Sequence, residues 1–121
     1  MTTLRLRILF NDAMLGPGKA ELLERIGETG SIAAAGRGMG MSYKRAWMLV
    51  EEMNAAFQEP LVASTRGGPG GGGARLTETG AEVLRLYHEI LATALAASSG
   101  SIAALEALLR APAMGDMSDG K

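Results

Sequence analysis

Residues 40–54 read GMSYKRAWMLVEEMN, residues 59–67 EPLVASTRG and residues 68–79 GPGGGGARLTET. In order these are a helix, a turn, a β-prone run, a glycine-packed tip and a second β-prone run. Ser42 is placed to cap the helix, which should run to about Phe57. Ala46, Leu49, Val50, Met53 and Phe57 recur at helical spacing as an inward stripe, with the single Trp, Trp47, expected beside them in the core. Lys44 and Arg45 fall in the first turn, and Glu51 and Glu52 in the middle. An isolated helix prefers the reverse, because the N-terminal end of its dipole is positive. A local rule broken this way often marks a functional surface, here one that meets a negative partner.

The two β-prone runs, LVAST and ARLT, enclose RGGPGGGG. So many glycines do not hold a tight two-residue turn; they make a tip whose backbone can approach another surface closely. Arg66 and Arg75 stand at the two bases of that hairpin. The Gly-rich tip at residues 67–73 is not a nucleotide P-loop, which needs a Gly-Lys-Ser/Thr ending and a helix directly after. Gly16-Pro17-Gly18-Lys19 fails as well, because Ala20 replaces the hydroxyl and no glycine stands at position 13.

Upstream, Leu4, Leu6, Ile8 and Phe10 alternate with Arg5, Arg7 and Leu9, the period of a strand with one buried face. Pro17 suits the start of a first helix whose Leu22, Leu23 and Ile26 face inward, and Gly30 is a natural C-terminal stop. Ser31 is a candidate cap for a very short second helix, SIAAAGRGMG, which Gly36 and Gly38 weaken by roughly 0.5–1 kcal/mol each relative to alanine. Gly40 supplies the turn into helix 3. Thr77 caps a fourth helix in which Val83, Leu84, Leu86, Tyr87, Ile90, Leu91, Ala94 and Leu95 cover more than one narrow face. That surplus suggests a partner helix, most simply in a two-fold dimer through Val83, Tyr87, Ile90, Leu91 and Leu95. Residues 98–100 are expected to break the chain before a last short helix, and residues 112–121 to be disordered. The expected organisation is therefore a reader domain with its dimerisation helix over residues 1–97, a short helix within 98–111 and a tail.

A chain of 121 residues is one domain's worth. Without cysteine there is no disulfide framework or thiolate metal site, which fits a reducing cytoplasm. No signal peptide is apparent, and no segment is expected to reach the apolar length needed to cross a bilayer. The net charge of −1 conceals an asymmetry: residues 37–75 hold five Arg/Lys against three Glu, and residues 76–121 three against six acids. A basic middle on an acidic chain suits a nucleic-acid face with a solvated remainder. His88, the single His, has no partner at ligand spacing. The methionines read as gap-filling core. No Ser-His-acid, Cys-His or paired-carboxylate constellation presents itself, so an enzyme is not expected.

The fold class expected is mainly α with a small antiparallel sheet, a winged helix-turn-helix with a long C-terminal helix. From residue 30 to residue 80 the chain resembles the N-terminal DNA-binding domain of ModE-type molybdate-responsive transcription regulators, a LysR-like helix-turn-helix. The resemblance rests on TGSIAAA, GMSYKRAWMLVEEMN and GGPGGGGARLTETG, and extends over about residues 1–95. It implies a cytoplasmic, dimeric, sequence-specific regulator of transcription. Helix 3 would enter the major groove of double-stranded DNA with Ser42, Tyr43, Lys44 and Arg45 at its leading end. Either cation is able to pair with a guanine, whereas the Ser and Tyr hydroxyls mostly bond phosphates. Arg66 and Arg75 would hold the backbone beside a wing of Gly67, Gly68, Gly70, Gly71, Gly72 and Gly73. Full-length regulators of this type continue into β-barrel domains that bind molybdate. No such domain follows in these 121 residues, so molybdate sensing is not carried over and no cofactor is expected. The rival reading is a winged-helix protein-interaction module that has lost DNA binding.

Overall fold

A computed structural model describes residues 2–65 and 73–111. The chain divides into two compact units, Met1–Leu91 and Ala92–Lys121. The first begins with a two-residue hairpin, β1 (Ile8–Leu9) antiparallel to β2 (Met14–Leu15). Helices α1 (Pro17–Thr29), α2 (Ile32–Gly38) and α3 (Tyr43–Ala56) follow. Then come β3 (Val62–Thr65) and β4 (Gly73–Leu76), an antiparallel pair in which Val62 faces Leu76 and Thr65 faces Gly73. The last helix, α4 (Glu78–Leu108), begins in this unit. The mainly α class with small antiparallel sheets, in winged-helix order, is thus the observed one.

Local chemistry sets each boundary. Pro17 opens α1, its missing N–H being one the first turn leaves unbonded anyway. Gly30 ends it in the left-handed region, φ 71°, where a side chain would be strained. The hydroxyls of Ser31, Ser42 and Thr77 accept from the N–H of Ala34, Arg45 and Gly80, at 3.0, 3.1 and 2.9 Å, and start α2, α3 and α4.

Leu22, Leu23 and Ile26 of α1, Ala35 of α2, Ala46, Val50 and Met53 of α3 and Leu61, Val62 and Ala74 of the hairpin form one buried cluster. The inward stripe of helix 3 is as expected, with Leu49 and Phe57 partly buried against that cluster. Leu15, Ala20 and Tyr87 form a second cluster beside it. Asn54 ties α3 to the wing. Its side-chain oxygen accepts from the N–H of Leu61 and Val62 at 2.8 and 3.1 Å, and its amide donates to the Val62 carbonyl at 3.1 Å.

Five expectations need correction. The N-terminal strand keeps its alternation, with Arg5, Arg7 and Leu9 exposed and Leu4, Leu6 and Ile8 half-buried. Its ladder is only Ile8–Leu9, because Asn11 and the turn return the chain at once to Met14. Phe10 is exposed, its ring edge-on to that of Phe57 at 6.3 Å. Trp47 is not core: it is 39% exposed, since the buried arc of α3 is filled by Ala46, Val50 and Met53. Residues 98–100 do not break the last helix. Ser98 Oγ donates back to the carbonyl of Ala94 at 2.7 Å and Ser99 Oγ to that of Ala96 at 3.3 Å, so both hydroxyls are absorbed into the helix. The roughly 1 kcal/mol cost of Gly100 is too small to stop it. As a result α4 runs unbroken for 31 residues with a mean hydropathy of 1.4 over an 18-residue window, and by length and composition alone it reaches what a bilayer requires. The second unit consists, among its described residues, of the C-terminal part of α4 and residues 109–111; Leu95, Leu105 and Leu108 are exposed there. The tail at residues 112–121 lies outside the described residues.

Candidate nucleic-acid interface

The outward surface of α3 follows from what it buries. With about 100° per residue, Ala46, Val50 and Met53 share one arc against α2 and the hairpin. Lys44, Met48 and Glu51 then face away from the core, and all three are exposed. Tyr43 and Trp47 border this face on one side, each about 160° around the helix from Arg45, which borders the other. Tyr43 is 57% exposed and Met48 48%. Both cations occupy a first turn that contains no acid. Of the acids further along, Glu52 pairs with Lys19 of α1 at 3.2 Å, so the leading end of the helix is the positive one.

The two edges of this face abut different neighbours. Tyr43 and Trp47 line a concavity with Ser31, Ala33, Ser64 and Gly73, which brings this face against the cap of α2 and the base of the wing. Arg45 lines another with Arg5, Arg7 and Lys19. Close packing holds α3 there. Gly36 of α2 is buried, and a Cβ built on it would stand 2.9 Å from that of Ala46. The two glycines that weaken helix 2 in isolation thus differ in role, and the first is what lets α2 approach α3.

Of the residues singled out from sequence, Ser42 serves as cap and sits with Tyr43, Lys44 and Arg45 on one exposed helix end. Arg75 is exposed on β4, its guanidinium donating to the Leu76 carbonyl at 3.4 Å. Gly73 pairs with Thr65, whose hydroxyl accepts the Gly73 N–H at 3.0 Å. Arg66, Gly67, Gly68, Gly70, Gly71 and Gly72 lie outside the described residues. Three residues that sequence reasoning left out of the site, Arg5, Arg7 and Lys19, share a surface with Arg45. The signal available for them was the strand alternation that turns both arginines outward.

The dimer residues separate into two groups. Tyr87 is 3% exposed, packs with Leu15 and Ala20, and donates its hydroxyl proton to the Leu6 carbonyl at 2.7 Å, so the fold withdraws it from any partner surface. Val83 and Leu91 are half-buried against the same cluster. Ile90 and Leu95 stay 45% and 47% exposed, as does Leu86 at 42%. His88 is exposed beside Tyr87. Beyond it Arg85 holds Glu82 at 2.7 Å and Glu89 at 3.2 Å; hydrogen bonding to Glu82 raises the arginine's pKa, and the same bond lowers that of the carboxyl. Among the described residues no group of three or more His, Cys, Asp or Glu is placed to hold a metal ion.

Residues 18–81 match the family described as bacterial regulatory helix-turn-helix protein, lysR family. The molybdenum-pterin-binding protein MopB of Rhodobacter capsulatus is 45% identical over 78 residues, which is 64% of this chain and 29% of that protein. The transcriptional regulator ModE of Yersinia pestis is 44% identical over 77 residues, again 64% and 29%. The DNA-binding transcriptional dual regulator ModE of Escherichia coli K12 is 42% identical over 71 residues, 59% of this chain and 27% of that one. The chain thus spans less than a third of the length of these relatives.

Proposed function

This chain belongs to the bacterial regulatory helix-turn-helix family of LysR type, and from that premise we propose that it is a dimeric, sequence-specific DNA-binding regulator of transcription. The observation that carries the reading is the leading end of α3. Lys44 and Arg45 stand exposed in a first turn that is capped by Ser42 and free of acids. Such an end, set into the major groove, offers guanidinium and ammonium groups to guanine O6 and N7, and hydroxyls and backbone N–H groups to phosphate. Exposed Met48 suits apolar contact with a thymine methyl. The wing that begins at β3 and β4 would track the adjacent backbone through Arg75 and Arg66.

In this reading α4 sets the spacing of two readers. Its inner residues Val83, Leu84 and Leu91 are partly covered by the chain's own core, and the exposed apolar residues Leu86, Ile90 and Leu95 are left for a second copy. We read α4 as a dimer helix and not a membrane span because its first turns pack on the domain core and carry Glu82, Arg85 and Glu89 on their free side. A two-fold pair would place half-sites about one helical turn of DNA, roughly 34 Å, or a multiple of it apart. The Rhodobacter capsulatus relative is named as a molybdenum-pterin-binding protein, which makes regulation linked to molybdate metabolism, in the cytoplasm and without catalysis, the setting we propose.

The test is fluorescence-anisotropy binding to a pool of genomic promoter fragments across a salt series. Tight binding to a palindromic subset, with log affinity falling steeply as salt rises, is expected. Uniformly weak binding even at low salt would refute it and favour the protein-interaction module.

A further inference from the structure

The cations bordering Arg45 are not explained by the recognition helix or the wing. Arg5 and Arg7 are exposed on the run that leads into β1, Lys19 stands in the first turn of α1 and Arg45 in the first turn of α3, and together they line one concavity of about 560 Å³. Among the described residues no acid lines it. Lys19 is partly neutralised by Glu52 at 3.2 Å. Among the described residues the guanidinium groups of Arg5, Arg7 and Arg45 make no ion pair or side-chain hydrogen bond, although four other ion pairs form in the same chain. Arg5 also borders a neighbouring concavity that contains Glu21 and Glu24, so its charge is shared with that side. Arg7 and Arg45 do not border that concavity.

Its position is built. A Cβ on Gly16 would stand 3.0 Å from Arg7 Cγ, so the arginine stem lies across the start of α1, and the bare glycine is what admits it. That start has no side-chain cap, and its dipole end adds positive potential to the concavity that Gly16, Pro17 and Gly18 line with Arg7. Collecting guanidinium groups that form no ion pair is unfavourable without an anion to meet them.

Resting on the reading of α3 as the DNA-recognition helix, we propose that Arg7, with Arg5 and Arg45, forms a phosphate-binding groove for the DNA backbone on the edge of α3 opposite the wing. Arg45 joins the groove to the recognition face, and Tyr43 and Trp47, about 160° around the helix, join that face to the wing. The reader would then hold the strands flanking its half-site on both sides, with three separate elements contributing cations.

The probe is a promoter duplex selected from the genomic pool, compared with a random duplex of equal length, in anisotropy titrations across a salt series. Arg7→Ala should weaken both duplexes by a similar factor and lower the salt slope by about one, leaving the ratio between them unchanged; Arg7→Lys should restore the slope. Circular dichroism of each variant separates loss of charge from loss of fold. If the parent chain binds the selected duplex steeply and Arg7→Ala binds with the same slope and affinity, the groove is refuted while the regulator reading stands. If the parent binds no duplex, both fall together. Calorimetry with inorganic phosphate alone supplies the remaining arm: saturable heat that Arg7→Ala abolishes, with the DNA slope untouched, overturns the groove in favour of a free-oxyanion site.

Discussion

Replacing either glycine of α2 by alanine adds the same methyl group, and the structure gives the two substitutions opposite signs. In both, alanine gains about 0.5–1 kcal/mol from lower backbone entropy in the unfolded chain. At Gly38 the new Cβ meets the far end of Arg25, 2.5 Å from its Nη1. That side chain is held only by an exposed pair with Glu21, worth little, and swings away. Gly38→Ala should therefore stabilise by roughly 0.5 kcal/mol. At Gly36 the new Cβ meets Ala46 Cβ at 2.9 Å. Ala46 is fully buried and has no torsion to rotate, so relief requires α2 and α3 to part by about 0.5 Å to reach ordinary contact at 3.4 Å. Overpacking of this kind costs about 1–3 kcal/mol, which exceeds the entropy gain and leaves Gly36→Ala destabilised by roughly 1–2 kcal/mol. Urea denaturation followed by far-UV circular dichroism reads both, with unchanged m-values certifying that stability alone has moved. Thermal midpoints should separate by roughly 4–8 °C per kcal/mol for a domain near this size. Equal stabilisation by both alanines would show that the α2–α3 approach is slack and would remove the packing argument for the placement of α3.

The same geometry sets other outcomes. In anisotropy titrations, Lys44→Ala or Arg45→Ala, whichever pairs with guanine, should cost about 1–3 kcal/mol and relax preference at one base position, whereas Arg75→Ala should weaken all duplexes alike; equal losses on every sequence from all three refute the division into reading and anchoring residues. Asn54→Ala strands the N–H groups of Leu61 and Val62, both buried, and should cost roughly 2–4 kcal/mol in urea denaturation, with a neutral result sinking the assignment of Asn54 as the clamp between α3 and the wing. Gly80→Ala drives a Cβ into the Leu61 carbonyl, which has no side-chain freedom to yield, and should lose more than about 3 kcal/mol by the same measurement; wild-type stability would show that the start of α4 does not press on Leu61. Ile90→Glu should convert a dimer to a monomer in sedimentation velocity without unfolding it, and an unchanged sedimentation coefficient removes α4 from the interface.

Helix starts and stops were legible because capping is local. Ser31, Ser42, Thr77, Pro17 and Gly30 each act within a turn of their own position, and each acts as its residue type implies. Spacing also exposed the core of α3, since Ala46, Val50 and Met53 form its densest apolar arc. What sequence did not yield depends on distant neighbours. Trp47 reads as core by its apolarity, yet its place on the helix lies beyond the arc that α2 and the hairpin cover. Tyr87 reads as surplus apolar surface until Leu15 and Ala20 take it up. The serines at 98 and 99 suggest a break only when their hydroxyls are not credited with bonding back into the helix.

The same distinction divides the stretch that decided the fold. Ser42, Ala46, Met53 and Asn54 of the Ser-Tyr-Lys-Arg-Ala-Trp and Met-Asn runs each act on the fold itself. They cap, pack and clamp, and they fix the rotation of α3 to within the tolerance of a close-packed crossing. Tyr43, Lys44, Trp47 and Met48 are what that rotation then exposes. One run of residues thus encodes both a surface and its placement. It also explains why the Arg7 groove escaped notice. Arg5 and Arg7 precede β1 and Arg45 opens α3, two places that no local pattern links, and only the folded chain sets them side by side.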